Sequence, residues 1–177
     1  MHAPSRNHAS DAPPTPTPTP SPASGGASGG ARAEHPQVSA ARAVATIAHR
    51  GQTDKTGADY ITHPARVAAR LSGPAEVAAA WLHDTIEDCG ISGEDLLKAG
   101  ISEEVVAAVV LLTRTPDIDA DDYYRAIRSS PVALAVKLAD IADNTDPERV
   151  RALRATDPGK AGRLAGRYAH ALEILRA

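Results

Sequence analysis

The chain of 177 residues has no phenylalanine, one tryptophan, one methionine and one cysteine. With aromatic residues at 3%, an interior has to be assembled from Ala, Val, Leu and Ile, and close helix packing is expected. The lone Cys89 excludes an internal disulfide and any multi-cysteine metal site, and it fits a reducing, cytoplasmic compartment. No apolar run is long enough for the core of a signal peptide or for the roughly twenty residues of a membrane span. The net charge of -3, with acids and bases interspersed, offers no basic face to nucleic acid and no polybasic patch to a membrane. Alternating β-branched runs bounded by turns are missing too, so no sheet is expected. A small-molecule partner is what remains.

What is present is unevenly spread. The 42% apolar content suits about one domain. The first segment, however, holds a Thr-Pro repeat followed by Gly/Ser/Ala and no aliphatic side chain larger than Ala after Met1. Such a stretch cannot bury enough surface to offset its ordering entropy, so residues 1–35 are expected to be a disordered tail and residues 36–177 the folded domain. Past residue 36 the spacing is helical, as in Val38, Ala41, Val44, Ala45 and Ala48. Breaks at "TDKTGADY", "SGP", "CGISGED", "KAGIS", "TPDIDADD", "SSP" and "DPGKAG" predict an all-α orthogonal bundle of about seven to eight helices.

Inside the apolar run that ends in "WLHDTIED" stand a histidine and three acids. On a continuous helix His83 and Asp84 lean toward one point, and Glu87 and Asp88, a turn later, overhang it. An imidazole and a carboxylate make half of a site for a borderline divalent ion such as Mn²⁺, Fe²⁺ or Zn²⁺. Two further candidates complete it. His63 opens "HPARVAARL", where Pro64 fits the first helical position. Asp140 closes the buried-looking run "ALAVKLAD", where an unpartnered acid would be costly. Two imidazoles and two carboxylates leave positions open for water and substrate, as in a catalytic metal site. Glu87, one turn from His83, is the geometric choice of general base, with Asp88 next. Singly, each residue has a plainer reading: a surface His-Asp pair, a capping histidine, a helix-terminal acid.

As a set, "AHRGQTDKTGADYITHP", "AAAWLHDTIEDCGI" and "LAVKLADIADN" resemble the signature blocks of the HD-domain guanosine polyphosphate hydrolases. These are the hydrolase half of the RelA/SpoT proteins and the small stand-alone alarmone hydrolases of the metazoan SpoT-homologue type. The likeness covers most of residues 40–145. It implies an HD-domain bundle in which His63, His83, Asp84 and Asp140 hold one Mn²⁺, and Glu87 and Asp88 position and activate the attacking water. Lys55, Asn144 and Tyr168 would contact the nucleotide. The implied reaction removes the 3′-pyrophosphate of (p)ppGpp, leaving GDP or GTP. About thirty residues follow the third block, so no alarmone synthetase domain is expected after it. On the residues alone Lys55 is equally an exposed loop lysine and Tyr168 equally a core anchor, and His49 reads as a structural or site-edge residue.

Three positions depart from the family pattern: Asp54 where an arginine that packs on guanine is usual, Asp59 where proline is usual, and Ile141 where a basic residue is usual. An acid at 54 cannot stack as a guanidinium does and repels phosphate. Two alternatives therefore stand beside the alarmone hydrolase: a phosphohydrolase for another nucleotide, such as NADPH or a nucleoside monophosphate, and a non-catalytic HD module that senses a nucleotide.

Overall fold

The computed structural model describes residues 34–54 and 57–177. The expected tail over residues 1–35 thus lies outside the described residues except for Glu34 and His35, and Lys55 lies outside them altogether. Glu34 and His35 are joined to the first helix. The Glu34 carboxylate accepts from Ser39 Oγ at 2.8 Å and pairs with Arg42 at 2.7 Å, and His35 Nδ1 accepts from the Gln37 N–H at 3.3 Å.

The all-α bundle is borne out. Among the described residues ten helices follow one another: α1 Pro36–Ala48, α2 Thr62–Ala68, α3 Pro74–Leu82, α4 Thr85–Cys89, α5 Gly93–Lys98, α6 Glu103–Leu112, α7 Ala120–Arg128, α8 Pro131–Asn144, α9 Pro147–Thr156 and α10 Pro158–Arg176. The only pairing of extended backbone among them is a single bridge between Thr53 and Asp59. Local chemistry sets the starts. Five helices open on proline, whose fixed φ suits a first turn that needs no N–H partner. The Ser92, Ser102, Asp119, Ser130, Asp146 and Asp157 side chains accept the orphan amides at their helix starts. Gly90, at φ 69°, stops α4 in a left-handed conformation that a side chain disfavours.

Two breaks escape the sequence pattern, and they raise the helix count above seven or eight. One falls at His83-Asp84, between α3 and α4, and the other at Thr145-Asp146, between α8 and α9. The first contains neither Gly nor Pro, and the second is marked only by Pro147, which opens α9.

The core forms around α3 and α8. α3 packs on α1, α2, α6 and α8, and the Ala78-Ala79-Ala80 run that lets neighbours approach is fully buried. α8 lies against α2, α3, α6, α7 and α10. Val67, Leu82, Leu96, Val105, Val109, Ile127, Val136 and Ile141 fill the interior, as the absence of Phe requires, with Tyr123 and Tyr124 adding the buried aromatic surface. No helix among the described residues is long and apolar enough to cross a membrane.

Candidate active site

Because α3 and α8 pack against several other helices at the centre of the bundle, polar groups at their ends emerge into its interior rather than into water. His63 on α2, His83 at the end of α3 and Asp140 on α8 are all at most 6% exposed. One donor atom from each lies within 4.8 Å of the other two. Asp84 joins them through Oδ2, 3.0 Å from His83 Nε2 and 3.8 Å from His63 Nε2. Asp140 Oδ1 lies 3.3 Å from His63 Nε2. The four predicted ligands are therefore together, although three local readings change. The His83-Asp84 dyad sits in the break between two helices, not on a continuous one. α2 begins at Thr62, so Pro64 is not its first residue. Asp140 stands a turn before the end of α8, which runs on to Asn144.

The donor set fits a divalent cation. His83 Nδ1 is 2.8 Å from the Ala80 carbonyl, so it carries the hydrogen and leaves the Nε2 lone pair free. That Nε2 is buried without a hydrogen-bond partner, with Asp84 Oδ2 3.0 Å away. A bare imidazole nitrogen, a second imidazole and two carboxylates facing one small space demand a positive charge between them. Without an ion a proton takes that role. Burial opposes charge on His83, but the carboxylates of Asp84 and Asp140 outweigh it and push the imidazole up to about 9. The same reciprocity holds Asp84 well below the usual carboxylate range, despite burial, through His83 and the Tyr60 hydroxyl. Asp140 is held down likewise by Lys137, His63 and His83.

A cavity of about 390 Å³ opens over these groups, within the range of small-molecule sites. Glu87, Asp88, Asn144 and Tyr168 line it. Glu87 Oε2 accepts from the Arg114 N–H at 3.0 Å, which fixes the carboxylate against the segment after α6. Asn144 donates to Asp140 Oδ1, so part of its amide orients a candidate ligand. Tyr168 lies over Arg167, with 5.3 Å between the guanidinium carbon and the ring centroid.

Of the three departures, only Asp54 lines the cavity among the described residues. Ile141 is 2% exposed and belongs to the core, and Asp59 is exposed outside the lining. The Asp54 carboxylate accepts from the Ala58 N–H at 3.2 Å, closing its own loop, and lies 3.8 Å from the guanidinium of Arg149. The repulsion expected of an acid at 54 is thus partly offset by a cation from α9. His49 is 2% exposed, with Nδ1 2.8 Å from Gln52 Oε1 and its ring tilted against Tyr60 at 4.9 Å, while its Nε2 is buried without a hydrogen-bond partner.

Several neighbours of the site were not picked out from the sequence. The Tyr60 hydroxyl donates to Asp84 Oδ2 at 2.6 Å, and burial together with that carboxylate drives its pKa far above the phenol range. Lys137 Nζ is 3.0 Å from Asp140 Oδ2; burial works against its charge, but Asp140 outweighs burial and raises its pKa above the usual lysine value. Asp143, 1% exposed in its side chain, faces His63 from the other side. The signal was one of spacing: each stands three residues from a candidate ligand or its neighbour on a helical turn. Arg114, Arg149 and Arg167 bring cations to the rim from segments with no motif of their own.

Residues 41–121 match the HD domain family. The chain is 35% identical over 144 residues to a guanosine-3′,5′-bis(diphosphate) 3′-pyrophosphohydrolase of Vibrio cholerae, covering 73% of this chain and 20% of that protein. It is 32% identical over 133 residues to the bifunctional (p)ppGpp synthase/hydrolase SpoT of Escherichia coli, covering 69% and 19%. It thus spans about a fifth of the length of these relatives. A solved structure of a metazoan orthologue of SpoT, described as hydrolysing ppGpp with a role in starvation responses, superposes with a TM-score of 0.66 at 23% identity, over 83% of this chain and 89% of that one. That likeness shows the shared fold. With the matched domain, the relatives and the clustered histidines and aspartates in agreement, the chain belongs to the HD-domain family, and the relatives it resembles there are named as guanosine polyphosphate hydrolases.

Proposed function

We propose that this protein is a metal-dependent phosphohydrolase that removes pyrophosphate from the 3′ position of (p)ppGpp. The observation that carries the reading is the convergence of His63, His83, Asp84 and Asp140 beneath a cavity whose walls add two acids and several cations. Held there, a divalent ion supplies Lewis-acid polarisation of a phosphoryl oxygen and makes its water more acidic. The mixed imidazole and carboxylate donors suit Mn²⁺, which the family resemblance also favours, with one ion per domain.

The chain's own residues divide the remaining work. Glu87, braced by the Arg114 amide, is the acceptor for the proton of the attacking water, with Asp88 next to it. Lys137, kept charged inside the cavity by Asp140, offsets negative charge that gathers on the phosphoryl oxygens. Arg114, Arg149 and Arg167 meet the remaining phosphates at the rim, and Tyr168 offers a face for the nucleoside. Lys55 is kept as a further nucleotide contact on the strength of the family blocks alone.

Asp54 in the lining favours a second reading, hydrolysis of another nucleotide phosphate. Release of pyrophosphate from ppGpp by the purified protein with Mn²⁺, beside an Asp84→Ala control and a panel of NADPH and nucleoside monophosphates, separates the two. Turnover of ppGpp lost in Asp84→Ala supports the first. Turnover confined to another phosphate ester moves the substrate, and nucleotide binding without any turnover points to a sensing module.

A further inference from the structure

Asp143 is the most completely enclosed charged side chain at the site, at 1% exposure, and the reaction as outlined gives it nothing to do. It lies on α8, one turn after Asp140, and turns away from the cavity toward α2. There Arg66 grips it as a fork, Nε to Oδ1 at 2.9 Å and Nη2 to Oδ2 at 3.1 Å, while Nη1 of the same guanidinium bonds Thr62 Oγ1 at 3.1 Å. Arg70 and Arg149 stand further off, each 3.8 Å from one of the two oxygens. The remaining neighbour is His63, with Nδ1 2.9 Å from Asp143 Oδ2.

This arrangement has a consequence for the other ring nitrogen. Arg66 has donors only, so both oxygens of Asp143 are committed as acceptors. The hydrogen in the short contact to His63 therefore belongs to Nδ1. A neutral imidazole carries one N–H, so Nε2 is left bare, and Nε2 is the atom that faces Asp140 and Asp84. His83 reaches the same state through a backbone carbonyl; His63 reaches it only through a side chain and its arginine.

We propose that Asp143 is a positioning residue that locks His63 in the tautomer able to ligate a divalent ion. The proposal rests on the metal reading of the site. Asp143→Asn is the sharpest variant, because a carboxamide cannot accept at both ends: whichever end carries the NH2 meets an Arg66 N–H, and at the Oδ2 end it meets His63 as well.

The test has two readouts. In the metal-free protein at pH 8, long-range proton–nitrogen correlation is expected to show His63 protonated at Nδ1 in the wild type and shifted toward Nε2 in Asp143→Asn. Titration with Mn²⁺, followed by the free-ion resonance signal, is expected to show affinity lower by about 10- to 100-fold. Arg66→Ala, which keeps the acceptor, should retain the Nδ1 proton and lose no more than about a third as much affinity. If Asp143→Asn does not fold, the double variant Asp143→Ala/Arg66→Ala, which leaves no unpaired charge, carries the same expectation. Unchanged protonation of His63, Mn²⁺ affinity within about twofold of wild type, or equal losses in Asp143→Asn and Arg66→Ala each overturn the assignment. A wild type with no Mn²⁺ affinity sinks the metal reading instead, while the tautomer measurement still reports on Asp143.

Discussion

The two walls of the cavity are built in opposite ways. The inner wall, His63, His83, Asp84, Asp140 and Lys137, hangs from helices whose other residues fill the core, so its groups are buried or half-buried and tied to one another. The outer wall, Asp54, Arg114, Arg149, Arg167 and Tyr168, comes from two connecting segments, α9 and the exposed face of α10, and α9 buries none of its residues. A packed core places atoms to fractions of an ångström at no extra cost. A surface helix places them only as well as its few contacts allow. Bond-making chemistry on the inner wall and substrate choice on the outer one follow from that difference, and the outer wall is the one that substitution can alter without unfolding the protein.

The comparison breaks most visibly at Asp84. Asp84→Ala removes a carboxylate that faces both Nε2 atoms, and it is expected to abolish Mn²⁺ binding and turnover together; metal titration beside the pyrophosphate assay checks it. Retained affinity with lost activity would take Asp84 out of the ligand set. Glu87→Ala should do the reverse, keeping the metal and lowering kcat by about 10²-fold, since its Oε2 is engaged with the Arg114 amide and not with the cluster. An active Glu87→Ala beside an inactive Asp88→Ala would pass the base role to Asp88.

How far each wall was legible in the sequence follows from the same contrast. The four ligand candidates of the inner wall were legible because they stand in runs of helical period, His63 before Pro64, His83 and Asp84 in "WLHDTIED" and Asp140 in "KLAD", whereas Lys137 was passed over. Even there, periodicity ran through the break at His83-Asp84, because a helix interrupted for two residues keeps nearly the same apolar spacing. Asp143 was passed over because an acid near a helix end reads as solvated until the partner 80 residues away is known. The outer wall was barely legible. Arg149 and Arg167 stand among other arginines of α9 and α10, and no local pattern tells the one that turns inward from its neighbours. Ile141, which stands where the family usually has a basic residue, proves to face the core.

Arg149 sharpens the comparison further. Its guanidinium lies 3.8 Å from both Asp54 and Asp143, loosely enough to exchange either for a phosphate. Arg149→Ala should raise KM for ppGpp about tenfold, roughly 1.4 kcal/mol of uniform binding, with kcat within about twofold. A fall in kcat with KM unchanged would show that the outer wall takes part in the chemistry.

The smallest effect, a matter of several degrees in melting temperature, tests whether the inner wall holds its charge as argued. In the metal-free protein His83 is raised from 6.5 to about 9, so its contribution to stability is complete below pH 6.5 and is lost as the pH rises through 9. Asp84 and Asp140 are lowered from 3.8, so theirs is present above about pH 4 and is lost in acid. The metal-free melting temperature should therefore be highest between about pH 4 and 6.5 and decline toward pH 9. An ion that replaces the proton on His83 must first displace it, so the gain in melting temperature with saturating Mn²⁺ should grow from pH 6.5 to pH 9. A gain that is the same at both ends means that ion and proton do not share a seat, and then the bare Nε2 of His83 is not where the metal binds.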